Sequence, residues 1–171
     1  MGKPVAGGIP CSVFGSTAEM AERMTAVEAA AGPGYSGIGT TLSANAMALK
    51  AMRANLEQVM TEAAYAHMLP LSERLARGIE AEIHRRGLPW HVSNVGARAE
   101  FVCAPERPRN GTEAEAAMHH SLELALHLYL INHGILIAPF HNMTLVSPVT
   151  SPAQVDRLIA VVGAGLDELI G

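Results

Sequence analysis

The lysine near the start of the chain has a setting that suits covalent chemistry. Lys3 lies in Met1-Gly2-Lys3-Pro4-Val5-Ala6-Gly7-Gly8-Ile9-Pro10, a turn of glycines and prolines followed by an apolar run from Cys11 to Phe14. Gly7 and Gly8 permit backbone angles and close approaches that are closed to other residues. A lysine amine seated in a rigid, crowded turn can lie beside a flat ligand and form a Schiff base with a carbonyl cofactor. The same residues also fit an ordinary solvated lysine in a loose terminal segment. From the residues alone, both readings stand.

Other side chains invite weaker readings. Arg98 follows Gly96-Ala97 and precedes an expected strand. Near a cleft, its guanidinium can clamp a substrate carboxylate bidentately; an ion pair with Glu100 is the alternative. His119, His120 and His127 fall on one expected helix without carboxylate or cysteine partners at ligand spacing, so no metal site is expected. Cys11 and Cys103 have neither metal spacing nor a disulfide framework, are expected to be buried thiols, and fit a reducing cytoplasm.

The elements that must position these residues follow from pattern. Cys11 to Gly15 reads as a short strand, and Ser16-Thr17-Ala18-Glu19 is a capping box opening a helix through Met24. Val27 to Gly39, rich in Ala and Gly and containing Pro33, reads as a loop. Asn45 to about His67 predicts a helix, with Leu49, Met52, Leu56, Val59 and Ala63 at helical spacing. Pro70 predicts its break. A second helix carries Leu71, Leu75, Ile79 and Ile83 and stops at Gly87.

Trp90 to Val95 and Ala99 to Cys103 read as strands joined through Gly96. Thr112-Glu113-Ala114-Glu115 opens a helix with Met118, Leu122, Ala125, Leu126 and Tyr129 inward, closed at Gly134. Ile135 to Ala138 and Met143 to Val146 read as strands linked by Phe140-His141-Asn142. Ser151-Pro152-Ala153-Gln154 starts a last helix with Val155, Leu158, Ile159, Val162, Leu166 and Leu169 on one face. No internal repeat is visible. This half of the chain predicts an α+β domain with helices on one face of a small sheet.

Composition narrows the function classes. Apolar residues make up 49% of the 171 and charged residues 16%, as in a helix-rich globular chain with one good core or two small ones. A net charge of −4 and the lack of a basic run argue against nucleic acid. No stretch of about 20 apolar residues predicts a membrane span, and no signal peptide is visible.

Two segments carry a family resemblance. Gly2-Lys3-Pro4-Val5-Ala6-Gly7-Gly8-Ile9-Pro10 resembles the segment around the cofactor lysine of class III (fold type I) pyridoxal-phosphate aminotransferases, in particular the glutamate-1-semialdehyde aminomutase-like enzymes. Their pattern there is Leu-Gly-Lys, two small or apolar residues, Gly-Gly, an apolar residue and Pro. Gly39-Thr40-Thr41-Leu42-Ser43-Ala44-Asn45-Ala46 resembles the family's Gly-Thr-Leu-Ser-Gly-Asn-Pro stretch, with departures at Thr40, Ala44 and Ala46.

The resemblance implies an α/β chain. The end of the cofactor-binding large domain and a connecting helix occupy residues 1–69, and a small α+β domain with a mostly antiparallel sheet occupies 70–171. It implies pyridoxal 5'-phosphate as cofactor and Lys3 as the Schiff-base lysine that also moves the proton between substrate and cofactor. Thr41, with Thr40 beside it, would reach the cofactor phosphate from the partner subunit of a homodimer; a plain helix N-cap is the other reading. Arg98, His141 and Asn142 would lie where the small domain faces amino acid and keto acid substrates, a structural role being the alternative for the last two. Met1 stands where the family has an apolar residue in mid-chain, which implies a fragment of a longer enzyme. The family's acid for the pyridine nitrogen, its ring-stacking aromatic and its glycine-rich phosphate loop belong upstream of the lysine. The functional expectation is amino-group transfer, by a transaminase or an aminomutase. The alternative is a catalytically inactive α+β dimerisation or binding module derived from such an enzyme.

Overall fold

The computed structural model describes residues 2–39, 42–138 and 141–170, with Lys3 described by its backbone alone. Thr40 and Thr41 lie outside the described residues. The chain divides into two units, Met1–Thr61 and Glu62–Gly171.

The first unit opens with a 3-10 turn, Lys3–Ala6, followed by two helices, α1 (Ala18–Ala30) and α2 (Ala46–Gln58). Among its described residues only Val5, Ala6 and Ala48 are buried. Cys11 to Gly15 does not form the expected strand, because no strand among the described residues pairs with it to supply the backbone bonds. Helix α1 is capped by Thr17, whose hydroxyl accepts from Met20 N at 3.2 Å. Glu19 pairs with Arg23 instead of closing a box on Ser16. The helix outruns Met24 to Ala30 because its last turns are alanine-rich, and alanine is the best helix former. Gly32 and Pro33 follow its end.

The break between the next two helices falls at Val59–Thr61, not at Pro70. Val59 N and Met60 N both donate to Asn55 O, at 3.0 and 2.8 Å, which closes α2. Helix α3 (Glu62–Arg85) then runs through Pro70. An interior proline costs about 3 kcal/mol. Met68, Leu71, Leu75, Ala76, Ile79 and Ile83 offset it by burying one continuous stripe, at roughly 1.5–3 kcal/mol for each large side chain.

In the second unit the sheet is antiparallel throughout, in the order β1 (His91–Val95), β2 (Arg98–Val102), β3 (Met143–Leu145). Val95 pairs with Arg98 across a two-residue turn in which Gly96 has φ 60°. The expected strand over Ile135–Ala138 is absent. Ile135 N donates to Leu130 O and Ala138 N to Met143 O, and between them Ile137 is buried.

The expected single helix from Thr112 to Gly134 is two, α4 (Gly111–Ala116) and α5 (His120–Asn132). Asn110 caps the first. The second starts afresh because His119 and Glu123 cap reciprocally: His119 N donates to Glu123 Oε1 at 3.1 Å, and Leu122 N donates to His119 Nδ1. Helix α6 (Pro152–Ile170) begins with the box read from sequence, Ser151 N donating to Gln154 Oε1 at 2.8 Å and Gln154 N to Ser151 Oγ at 3.3 Å.

The core lies between the sheet and α3, α5 and α6, around Phe101, Ile79, Ile83, Leu126 and Leu166. Helices α3 and α6 meet closely at Gly78, where a Cβ would stand 2.8 Å from Ile159 Cγ1. Beside this contact Arg86, its side chain only 10% exposed, donates to Glu82, to Asp167 and to the Gly163 carbonyl. The Arg86 guanidinium, then Arg85, holds the Glu82 carboxyl below its ordinary range, and Arg86 does the same for Asp167. A depressed folded value contributes stability that is present above the unfolded carboxylate pKa and is lost as pH falls through the folded value. The melting midpoint should therefore hold from neutrality to about pH 5 and fall below about pH 4. Arg86→Met should flatten that acid limb. Identical acid limbs in thermal melts followed by circular dichroism would contradict the assignment.

Candidate active site

The turn carrying Lys3 is tightly bonded. Val5 N donates to Gly2 O at 3.0 Å, closing the chain around Lys3, and Gly7 N donates to Pro4 O at 3.2 Å. Gly7 and Gly8 then reverse the chain with φ of 62° and 97°, a region that side chains disfavour. The buried Val5 and Ala6 anchor the turn.

Next to it lies a cleft of about 740 Å³. Gly2, Cys11, Ser12 and Phe14 line it from the lysine segment, and Ile38, Gly39, Leu42, Ser43 and Asn45 from the second segment. The two stretches singled out in sequence therefore share one concavity. Asn45 caps α2, its Oδ1 accepting from Ala48 N at 3.2 Å. Ala44 keeps φ 55°, so alanine holds a left-handed geometry that glycine takes without strain.

The size falls within the range of roughly 300–1,000 Å³ typical of small-molecule sites. Apolar walls with a few polar groups fit a flat aromatic cofactor. Among the described lining residues none is Asp or Glu.

The remaining candidates belong to the second unit. Arg98 stands at the start of β2 with its side chain half exposed, paired with Glu100 at 2.5 Å. His141 and Asn142 have φ of 62° and 45° and form the turn before β3. Asn142 is only 2% exposed. Its Nδ2 donates to Phe101 O at 3.4 Å and reaches Cys103 Sγ at 3.7 Å, so its side chain fastens the turn to β2. Arg98 and Asn142 thus flank opposite ends of β2, about 10 Å apart along the strand. The structure does not bring these two together.

Both cysteines are half-buried, less than expected. Cys11 lines the cleft. Burial, then nearby Glu123, pushes the Cys103 thiol up to about 12, which leaves it neutral and unreactive. Among the described residues no three His, Cys, Asp or Glu side chains come together to hold a metal. No described helix is long and apolar enough to cross a membrane.

Sequence reasoning missed Asn55, on α2, which donates to the lysine turn. The signal available was a polar residue of poor helix propensity near the end of a helix.

No family model matches the chain. It is 30% identical over 163 residues to glutamate-1-semialdehyde 2,1-aminomutase 2 of Brevibacillus brevis, covering 93% of this chain and 36% of that one. The corresponding enzyme of Thermomicrobium roseum is 27% identical over 99% of this chain and 38% of its own. The fold of this chain superposes with a TM-score of 0.90 on the crystal structure of a glutamate-1-semialdehyde aminomutase from Pseudomonas aeruginosa PAO1. That match is 44% identical and covers 99% of this chain and 38% of the other. A variant of that enzyme in complex with PMP matches equally well. An omega-transaminase from Sphaerobacter thermophilus, 23% identical with a TM-score of 0.76, shares the fold.

The chain belongs with the class III pyridoxal-phosphate aminotransferases, whose fold its lysine turn, second loop and small antiparallel α+β unit share. Within that class the chain is of the glutamate-1-semialdehyde 2,1-aminomutase-like kind. It spans a little over a third of the length of these relatives.

Proposed function

We propose that this chain carries the lysine side of a site that moves an amino group between an amino acid and a keto acid or aldehyde. It would do so with pyridoxal 5'-phosphate, as part of an aminotransferase or aminomutase. The observation that carries the reading is the closed Lys3–Ala6 turn, bonded from Val5 N to Gly2 O and anchored by buried Val5 and Ala6. The cofactor, when bound, supplies an aldehyde and an electron-withdrawing ring.

The chain's own residues do the rest. Lys3 Nζ would hold the cofactor through its aldehyde and, when free, would carry the proton between the substrate α-carbon and the cofactor. Both tasks need the amine in its neutral form. Thr40 and Thr41 serve the phosphate across the subunit boundary of a homodimer, each chain's pair reaching the cofactor of its partner, where a helix N-terminus would favour the anion. Arg98 meets a substrate carboxylate by sharing its guanidinium with Glu100, and His141 contacts substrate from the turn that Asn142 fastens. A homodimer in the cytoplasm is the expected setting. Phe14, Ile38, Leu42 and Met47, all largely exposed in the first unit, fit such an assembly.

The exposed apolar side chains of the first unit, Phe14, Ile38, Leu42 and Met47, also fit a second reading, a catalytically silent dimerisation or binding module. One experiment separates them. The chain is incubated with pyridoxal 5'-phosphate, scanned for a new absorbance band, reduced with borohydride and peptide-mapped. Label concentrated on Lys3 supports the cofactor seat. Equal label on Lys3 and Lys50, the two lysines of the chain, supports the silent module.

A further inference from the structure

The geometry points to Asn55 as the positioning residue of the Lys3 seat, an inference that rests on reading Lys3 as the cofactor lysine. Asn55 lies fifty residues downstream, in the last turn of α2. Its side-chain amide has two hydrogens. Nδ2 donates to Pro4 O at 2.9 Å and to Val5 O at 3.2 Å, the two carbonyls that follow Lys3. Val5 O leaves the short 3-10 turn just where the glycines reverse the chain, so Asn55 serves as the turn's C-cap from another element.

The backbone carbonyl of Asn55 also closes α2, accepting from Val59 N and Met60 N. One residue therefore ties the lysine turn to the end of the helix whose other end carries the cleft residues Asn45 and Ala48. The amide holds the backbone that carries Lys3, acting on the turn and not on the amine itself. Its effect is to restrict where the amine can go. Without it the turn keeps its local bonds but loses its register on α2.

The chain contains its own control, because Lys50 is exposed on the same helix. The ratio of borohydride-fixed pyridoxyl label on Lys3 to that on Lys50 reads the seat without any activity assay. In the wild-type chain this ratio should exceed one. Asn55→Leu and Asn55→Asp remove both donors, and each should lower the ratio about tenfold, the size of losing a tying hydrogen bond or two. Helical content and Lys50 labelling should stay unchanged. The pH profile of Lys3 labelling should move toward that of Lys50. Asn55→Gln, which retains the donors, should recover part of the ratio.

A merely structural role would lower the melting midpoint while leaving ratio and pH profile intact well below the melt. A wild-type preference for Lys3 that survives both donorless variants overturns the role of Asn55 and leaves the Lys3 reading standing. A wild-type ratio near one overturns both. Should either variant fail to fold, hydrogen exchange of the wild-type Asn55 side-chain amide decides. Protons slower than those of an exposed asparagine support the clamp, and protons equally fast overturn it.

Discussion

Lys3→Ala abolishes the borohydride-fixed label on the N-terminal peptide and leaves Lys50 as the only lysine that reacts with pyridoxal 5'-phosphate. Any amino transfer by the chain or its assembly falls by roughly 10²–10⁴-fold, the range for losing a positioned acid–base group. The expectation follows from one amine doing two jobs at one place. The Lys3–Ala6 turn is closed by its own bonds, anchored by buried Val5 and Ala6, and bordered by the cleft that the second segment shares. No other lysine lies on that turn, so none can substitute. Peptide mapping and single-turnover kinetics with an amino donor check it. Label retained on Lys50 alone, with transfer intact, would place the amine elsewhere and sink the assignment.

Phe101→Ala destabilises the second unit by about 3–5 kcal/mol, a large share of the roughly 5–15 kcal/mol that holds a domain together. Phe101 is 2% exposed and lies on the central strand, opposite Val92 and facing the core. Truncation opens a cavity that a strand bonded on both sides cannot collapse into. Its backbone carbonyl also receives the Asn142 amide, so loosening this part of β2 loosens the turn that presents His141. The melting midpoint of the transition should drop by more than about 10 °C. Phe101→Leu, which keeps much of the volume, should lose far less. A drop of only a few degrees for Phe101→Ala would mean that the core repacks around the gap.

Legibility in the sequence tracked the range of the interaction responsible. The Ser151–Gln154 box, the Gly96 turn between β1 and β2 and the stop of α5 at Gly134 depend on atoms a few residues apart, and all three appear as read. Pro70 misled because its cost is local while its compensation, the buried stripe of α3, is tertiary. The strand expected at Cys11 to Gly15 failed because its pattern was apolar but no partner strand exists for it among the described residues. Asn142 carried the right residue type for substrate contact. Only the packed turn reveals that its amide is spent on β2.

By itself the sequence pointed to the class through resemblance, because Gly2–Pro10 and Gly39–Ala46 are similar to the family's two motifs; residue types alone left Lys3 open between a cofactor seat and a solvated lysine. The tertiary structure alone decided how those patterns become a site. It put both segments on one cleft, gave Ala44 a left-handed backbone and sent the Asn55 amide across fifty residues to the carbonyls beside Lys3. The physical reason is that local propensity is additive along the chain, whereas a hydrogen bond between distant residues exists only after burial has paid the entropy of bringing them together.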